Sequence, residues 1–359
     1  MRRTTKIAAV AVVTAIALTG CSKKSDTSAT DASSSASDDI CKTADGDGPM
    51  IGLAYDVGGR GDQSFNDSAY AGVSKAVEEF DGSCVEGEAE DGEAESARED
   101  RLRQMADAGA TAIIGVGFAY SDSVNAVAPD YPDVNFAVVD GYDPDSKAND
   151  NVAYFSFAAN ESSYLVGVAA ALTTQTDEVG FVGGVHNDLI KAFEAGYTAG
   201  VHAVNPDIQV DVAYIEESDL SGFSDPAGGK TAAAGEFDKG ADVVYHAAGA
   251  SGSGVFDAAV EAGDGMWAIG VDSDQYLTAT STQQPHILTS ALKRVDVASY
   301  DFIKSVNEGT PDTSYVTYDL TNDGVGYSTS GGFLDDVSDQ IDEYASKIKS
   351  GDITVPTAP

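Results

Sequence analysis

The sequence predicts an α/β protein built as two doubly wound α/β lobes, and three observations carry that prediction. From Met50 onward short β-rich runs alternate with helical stretches, the pattern of repeated βα units in open sheets with right-handed crossovers. Run after run ends in Asp or Gly, at Asp56, Gly117, Asp140, Gly184 and Asp272. Ligands of doubly wound sheets sit beyond the carboxyl ends of the strands, so these polar ends converge on a cleft. Finally, about 320 residues follow the first 39, enough for two lobes with separate cores.

The elements follow in order. Arg2, Arg3 and Lys6 precede an apolar run over residues 7–18, which stops at Leu18-Thr19-Gly20-Cys21. A charged start, a short apolar run and small residues at the cut make residues 1–20 a secretory signal. The run is shorter than the roughly 20 apolar residues a membrane span needs. Leu-x-Gly-Cys resembles the bacterial lipobox, which predicts cleavage before Cys21 and a diacylglycerol on its thiol. The mature chain would then hang on lipid outside the cytoplasmic membrane. Residues 22–39 are mostly Ser, Thr, Ala and Asp, with no large apolar side chain. Such a segment cannot bury enough surface to offset its ordering entropy, and a flexible tether is expected over residues 21–47.

Residues 48–359 are expected to fold, with a first lobe over about 48–157, a second over about 158–272 and later crossings between them. Strands are predicted at 50–56, 111–117, 134–140, 151–157, 178–184, 208–216, 241–247, 266–272 and 286–292. Several are almost continuously apolar, as parallel strands covered on both faces are. Helices are predicted over 68–80, 96–108, 122–128, 161–173, 189–204, 229–239, 254–262 and 295–307. An amphipathic helix over 333–350 is expected to pack on one lobe. No repeat of fixed period is present, which speaks against a solenoid.

Charge narrows the partners. The chain holds 20 Lys and Arg against 59 Asp and Glu, a net charge of −39, and loss of the signal's three basic residues brings it near −42. A surface of that sign repels phosphate backbones and anionic lipid, so no nucleic-acid polymer is expected and the lipid anchor is the expected membrane contact. The acidic run at 86–100 lacks the spacing of a calcium loop and reads as a solvated face. With Cys21 assigned to lipid, Cys41 and Cys84 are left in an oxidising compartment, where a disulfide stapling the N-terminal arm to the first βα unit is expected. Two cysteines without a Cys or His cluster do not make a zinc site. No cofactor is expected.

The densest polar constellation is Asp56-Val-Gly-Gly-Arg-Gly-Asp62-Gln-Ser64-Phe65-Asn66-Asp67, directly after the first strand. Ser64 or Asn66 could cap the following helix, but capping explains one polar residue, not four. A phenylalanine beside Asn and Asp suits a flat ring whose edge its neighbours read; plain turn-and-cap chemistry is the alternative. Phe193 lies near the head of a helix, where periodicity favours an ordinary core aromatic. Phe118 is equally ambiguous, and Asp122 beside it either accepts from a ligand N–H or starts a helix. Gly249-Ala-Ser-Gly252-Ser-Gly254, with Asp272 about twenty residues on, superficially suits a dinucleotide fold. The spacing is G-x-x-G-x-G rather than G-x-G-x-x-G, and an exported protein has little access to NAD. A strand-end carboxylate remains a good acceptor for a vicinal diol. His186 and His246 lie near strand ends, yet none of the four histidines sits in a nucleophile motif and G-x-S-x-G is absent. No enzymatic activity is expected.

Several ordered segments resemble the basic membrane lipoprotein family, whose best-understood members look like purine nucleoside receptor lipoproteins of ABC transporters. They are IGLAYDVGGRGDQSFNDSAYAGV, YPDVNFAVVDG, FAANESSYLVGVAAAL, EVGFVGG, FEAGYTAGV, AIGVDSDQY and TSALKRVD. The resemblance implies a type I periplasmic-binding-protein fold with a nucleoside of the adenosine, guanosine or inosine class between the lobes. It implies that Phe65 and Phe193 sandwich the base, that Asn66 and either Asp56 or Asp122 bond its edge, and that Gly249, Asp272 and Lys293 hold the ribose. One departure is GASGSG, where the family pattern leads one to expect a compact A-G-G-x-G turn. The implied partners are the nucleoside and a membrane permease, and the implied state is a monomer. Transcription-activator members also exist, but the lipobox argues against that role. A sugar or other small polar ligand on the same fold, or a sensory surface lipoprotein, are the alternatives.

Overall fold

A computed structural model describes residues 39–142 and 149–359. The signal segment, Cys21 and the tether as far as residue 38 lie outside the described residues. A short helix, α1 (Ile40–Thr43), precedes the first lobe and is fastened to it by a disulfide between Cys41 and Cys84. The stretch expected as tether up to residue 47 therefore includes a segment tied to the lobe, because Cys41 lies inside it.

The first lobe runs through β1 (Met50–Tyr55), α2 (Phe65–Phe80), β2 (Ser83–Glu88), α3 (Glu95–Asp107), β3 (Ala112–Val116), α4 (Ser121–Val127), β4 (Asn135–Val139) and β5 (Val152–Phe157). The chain then crosses into the second lobe with α5 (Ala159–Thr173), β6 (Glu178–Val185), α6 (Asp188–Val204), β7 (Gln209–Glu216), α7 (Pro226–Lys239), β8 (Val243–Ala247), α8 (Gly252–Ala262), β9 (Trp267–Asp272) and β10 (Ile287–Lys293). At Lys293 it crosses back. Helix α9 (Val295–Asn307) packs on α2, and β11 (Tyr315–Tyr318) pairs with β5. A third crossing leads to β12 (Val325–Tyr327), antiparallel to β10, and to α10 (Ser338–Lys349), which packs on α5. The second sheet thus continues past residue 272, through β10 and then β12.

Each sheet has six strands, ordered β11-β5-β4-β3-β1-β2 and β12-β10-β9-β8-β6-β7. Both share one winding. In each, the first strand of the lobe (β1 or β6) lies between the second and the third, so the strand order reverses there. Such reversal points leave a crevice beyond the strand carboxyl ends. The strands are apolar on both sides because both sides are covered: Ile51, Leu53 and Tyr55 of β1 enter one core cluster while Ala54 enters another. In β8, Val243, Tyr245 and Ala247 face one layer and Val244 the other.

Three strands differ from expectation. β2 reads SCVEGE and buries only Cys84, while β11 and β12 hold four and three residues. All three are edge strands, so apolar runs do not mark them. Most of the acidic run over 86–100 is exposed; an exception is the Glu93 side chain, which is 7% exposed and lies 2.7 Å from Arg101 and 3.5 Å from Arg98.

Candidate functional site

The loop after β1 is organised by one carboxylate. Asp62 accepts from the backbone N–H groups of Ser64 at 3.0 Å, Asn66 at 2.8 Å and Asp67 at 3.0 Å. It is therefore Asp62, rather than Ser64 or Asn66, that caps α2, where an anion is favoured by the exposed N–H groups of the first turn. Burial pushes its carboxyl up to about 6 against the pull of those same N–H groups. The Asn66 amide is held within the loop: its oxygen accepts from the Asp56 N–H at 3.0 Å, and its nitrogen donates to Asp62 at 3.1 Å. Phe65, the first residue of α2, is left to project into the cleft.

Asp56 follows β1 directly, and its carboxylate lies over the backbone of Gly117 at the end of β3. A Cβ at position 117, where φ is +102°, would sit 2.2 Å from Asp56 Oδ2. Only glycine permits that approach. Asp56 Oδ1 accepts from the Val57 N–H at 2.9 Å. Burial raises its carboxyl to about 6, although that N–H and Arg98 oppose the rise.

Two more strand-end carboxylates face the cleft from opposite sheets. Asp140 directly follows β4 and Asp272 ends β9, with φ of +56° and +63°. Non-glycine residues in this region are uncommon and cluster at functional sites. Asp272 Oδ2 accepts from Ser64 Oγ at 2.6 Å, and Ser273 Oγ donates to the Ser64 carbonyl at 3.0 Å. Burial raises the Asp272 carboxyl, with Lys293 and Ser64 holding it down. Lys293 ends β10 and its ammonium ion-pairs with Asp140, both side chains being buried. The same ammonium lies 4.7 Å from the ring centre of Phe65, 5.1 Å from Phe157 and 5.8 Å from Phe193. The first- and second-lobe sides of the cleft are thereby joined by hydrogen bonds and one buried ion pair.

The cleft is lined from both lobes and has a cavity volume of about 60 Å³. The first lobe supplies Asp56, Val57, Asp62, Phe65, Asn66, Gly117, Phe118 and Asp140. Leu189, Ile190, Phe193, Phe223, Ala247, Ala248, Gly249, Val271, Asp272 and Lys293 complete it. The structure therefore gathers Asp56, Phe65, Asn66, Phe193, Gly249, Asp272 and Lys293 at one place. Asp122 does not join them: it is exposed in the first turn of α4 and does not line the cleft. His186 is also outside, exposed and 3.1 Å from Glu217. His246 is fully buried against Phe256, and burial drives its pKa down to about 3.

Sequence reasoning placed Asp140 at the cleft as a strand end without giving it a ligand role, and it missed Phe223. Asp140 carried the same strand-end signal as Asp272, and Phe223 stands alone among Ser, Gly and Asp in a loop. Asp140 Oδ1 is buried with no hydrogen-bond partner among the described residues. The cleft thus combines four aromatic rings with four carboxylates and one ammonium. It suits a flat ligand rich in hydroxyl and N–H donors, and it disfavours an anion.

Two α/β lobes, three crossings and an aromatic- and carboxylate-lined cleft at the reversal point of both sheets define a two-lobed solute-binding protein. The chain belongs to the Bmp family, described as ABC transporter substrate-binding protein PnrA-like, whose model matches residues 51–358. It is a substrate-binding protein of an ABC transporter and not an enzyme, and its partners are a solute and a permease. Proteins of this kind work outside the cytoplasm in association with the membrane. Among the described residues no helix is long and apolar enough to cross a membrane. The chain is 37% identical over 327 residues to the CD4+ T-cell-stimulating antigen of Listeria monocytogenes, covering 86% of this chain and 88% of that one. It is 39% identical over 261 residues to the ABC transporter nucleoside-binding protein BmpA of Lactococcus lactis, covering 68% and 71%. A solved solute-binding protein of an ABC transporter system from Aeropyrum pernix superposes with a TM-score of 0.74 at 29% identity, covering 86% and 93%.

Proposed function

We propose that this protein is the lipid-anchored receptor of an importer and captures a purine nucleoside of the adenosine, guanosine or inosine class. The observation that carries the proposal is the meeting of aromatic rings from both lobes with buried strand-end carboxylates in one cleft. Phe65 offers a face for the base from the first lobe, and Phe193 and Phe223 are the candidate faces from the second. Base stacking on an aromatic side chain contributes about 1–3 kcal/mol. Asp56 takes the N–H donors of the base edge, with Asn66 bracing it through its backbone. Asp272, Asp140 and Lys293 receive the ribose hydroxyls beside Gly249. The free Asp140 oxygen supports that role, since an unpaired buried acceptor is costly until a donor reaches it. The name of the Lactococcus relative points the same way.

The anchor at Cys21 and the signal over 1–20 complete the proposal, as does function as a monomer with a first lobe to about residue 157 and a second beyond it. No bond is broken in the cleft, and the solute leaves as it came. Mass spectrometry of the small molecules released on denaturing the purified protein tests the ligand class. A purine nucleoside in near-stoichiometric amount supports it, and a different small molecule in that amount contradicts it.

A further inference from the structure

The cleft loop is fastened from outside by groups that never touch the cleft. Residues 57–63 contain three glycines at positive φ, Gly58, Gly59 and Gly61, so the loop has much conformational freedom to lose on ordering. At its apex, Arg60 does the fastening. Its guanidinium lies 3.2 Å from the centre of the Tyr70 ring and bonds Glu86 at 3.1 Å, while its Nε is 3.5 Å from Asp67. Its backbone N–H donates to Glu88 at 3.2 Å.

The platform under Arg60 is in turn covered by the N-terminal arm. The Ile40 N–H donates to the Tyr70 hydroxyl at 3.0 Å, and that hydroxyl donates to Asp39 at 3.3 Å. Asp39 also lies 4.0 Å from Arg60. A four-residue helix has no stability of its own; Cys41 ties it to Cys84, two residues before Glu86 on β2. Asp39, Cys41 and Glu86 also form a group of metal-ligating side chains, but Cys41 is spent in the disulfide and both acids face Arg60.

We propose that Arg60 is a positioning residue for the bound solute, and that the disulfide-held arm acts on the cleft through it. The arm keeps Tyr70 and Arg60 in register, Arg60 holds the loop apex, and the loop presents Asp56, Asp62 and Phe65 at fixed positions. Breaking the disulfide frees the arm and loosens the loop without touching any group in the cleft. The affinity consequence rests on the nucleoside reading, while the mobility consequence does not.

The test uses four forms of the protein: unaltered, Arg60→Ala, the pair Cys41→Ser with Cys84→Ser, and all three changes together. Amide hydrogen exchange is followed at residues 57–67, with strand 112–116 as the internal reference. Affinity is measured for whichever of adenosine, guanosine and inosine the unaltered protein binds most tightly. The expected result is faster exchange in the loop alone and about 5- to 10-fold weaker binding for either change. That is the scale of one modest interaction. The triple variant should be no worse than the worse of the two, because both changes cut the same chain of contacts. Loop exchange unchanged by disulfide removal, or effects that multiply in the triple variant, overturns the proposal. If Arg60→Ala does not fold, Tyr70→Phe, which keeps the ring and removes the hydroxyl link to the arm, takes its place. Absence of nucleoside binding by the unaltered protein overturns the ligand reading alone, and the exchange measurement still decides the role of Arg60.

Discussion

Asp56→Asn is expected to make the protein more stable and a poorer receptor, with a stability gain that depends on pH. The Asp56 carboxyl is pushed by burial from its ordinary 3.8 up to about 6. Because the folded value is raised, the stability this group contributes is fully present below about 3.8 and is lost as pH climbs through about 6. At 1.36 kcal/mol per tenfold, the charged form costs about 3 kcal/mol at pH 8. The amide keeps the shape and an acceptor for the Val57 N–H while removing the charge. With an unfolding entropy of about 2.1 cal/mol/K per residue over some 320 residues, 3 kcal/mol corresponds to roughly 4–5 °C in Tm. Thermal melts of both proteins from pH 4 to 8 measure this directly. The variant should melt higher at pH 8, the gap should close by about pH 4, and nucleoside affinity should fall, the trade expected at a site kept for function. A Tm difference independent of pH, or a variant less stable at pH 8, refutes the claim that the cleft holds a costly buried charge.

Four other outcomes are expected. Phe65→Ala should weaken nucleoside binding about 5- to 150-fold with little change in the melting temperature of the empty protein. Parallel Phe193→Ala and Phe223→Ala titrations should identify the second face as the one whose loss costs affinity rather than stability. Asp272→Ala should weaken nucleosides strongly while leaving the feeble binding of free bases unchanged, and equal loss for both removes Asp272 from the ribose. Labelled palmitate should enter the unaltered protein in cells and not Cys21→Ser, and equal labelling contradicts the anchor.

The strands that build both lobes were legible because burial on two faces demands runs such as TAIIGVG and VNFAVVD. β2, β11 and β12 were not, since edge strands with one wet side need no such run. Asp56 and Asp272 were legible because polar residues at strand ends have a place in this architecture. Asp122 looked similar in sequence, yet it falls on the outer face of a helical turn, a difference of a few residues that no local pattern marks. The pairing of Lys293 with Asp140 joins residues 153 apart in the chain, and Ser64 meets Asp272 across 208. Such contacts follow from the crossings between lobes, not from any motif. Phe193 illustrates the opposite case, for its helical spacing pointed to the core and the structure places it both in the core cluster and on the cleft.

The central claim is that the cleft takes a purine nucleoside and leaves it intact. Titration calorimetry with adenosine, guanosine and inosine, alongside free purine bases, ribose and a nucleoside monophosphate, tests it most directly when the titrated ligand is afterwards recovered by chromatography. Tight one-to-one binding of at least one nucleoside, feeble binding of base, ribose and phosphate ester, and recovery of intact nucleoside is the predicted result. Ribose or another sugar bound more tightly than every nucleoside, or free base released from the nucleoside, would contradict it.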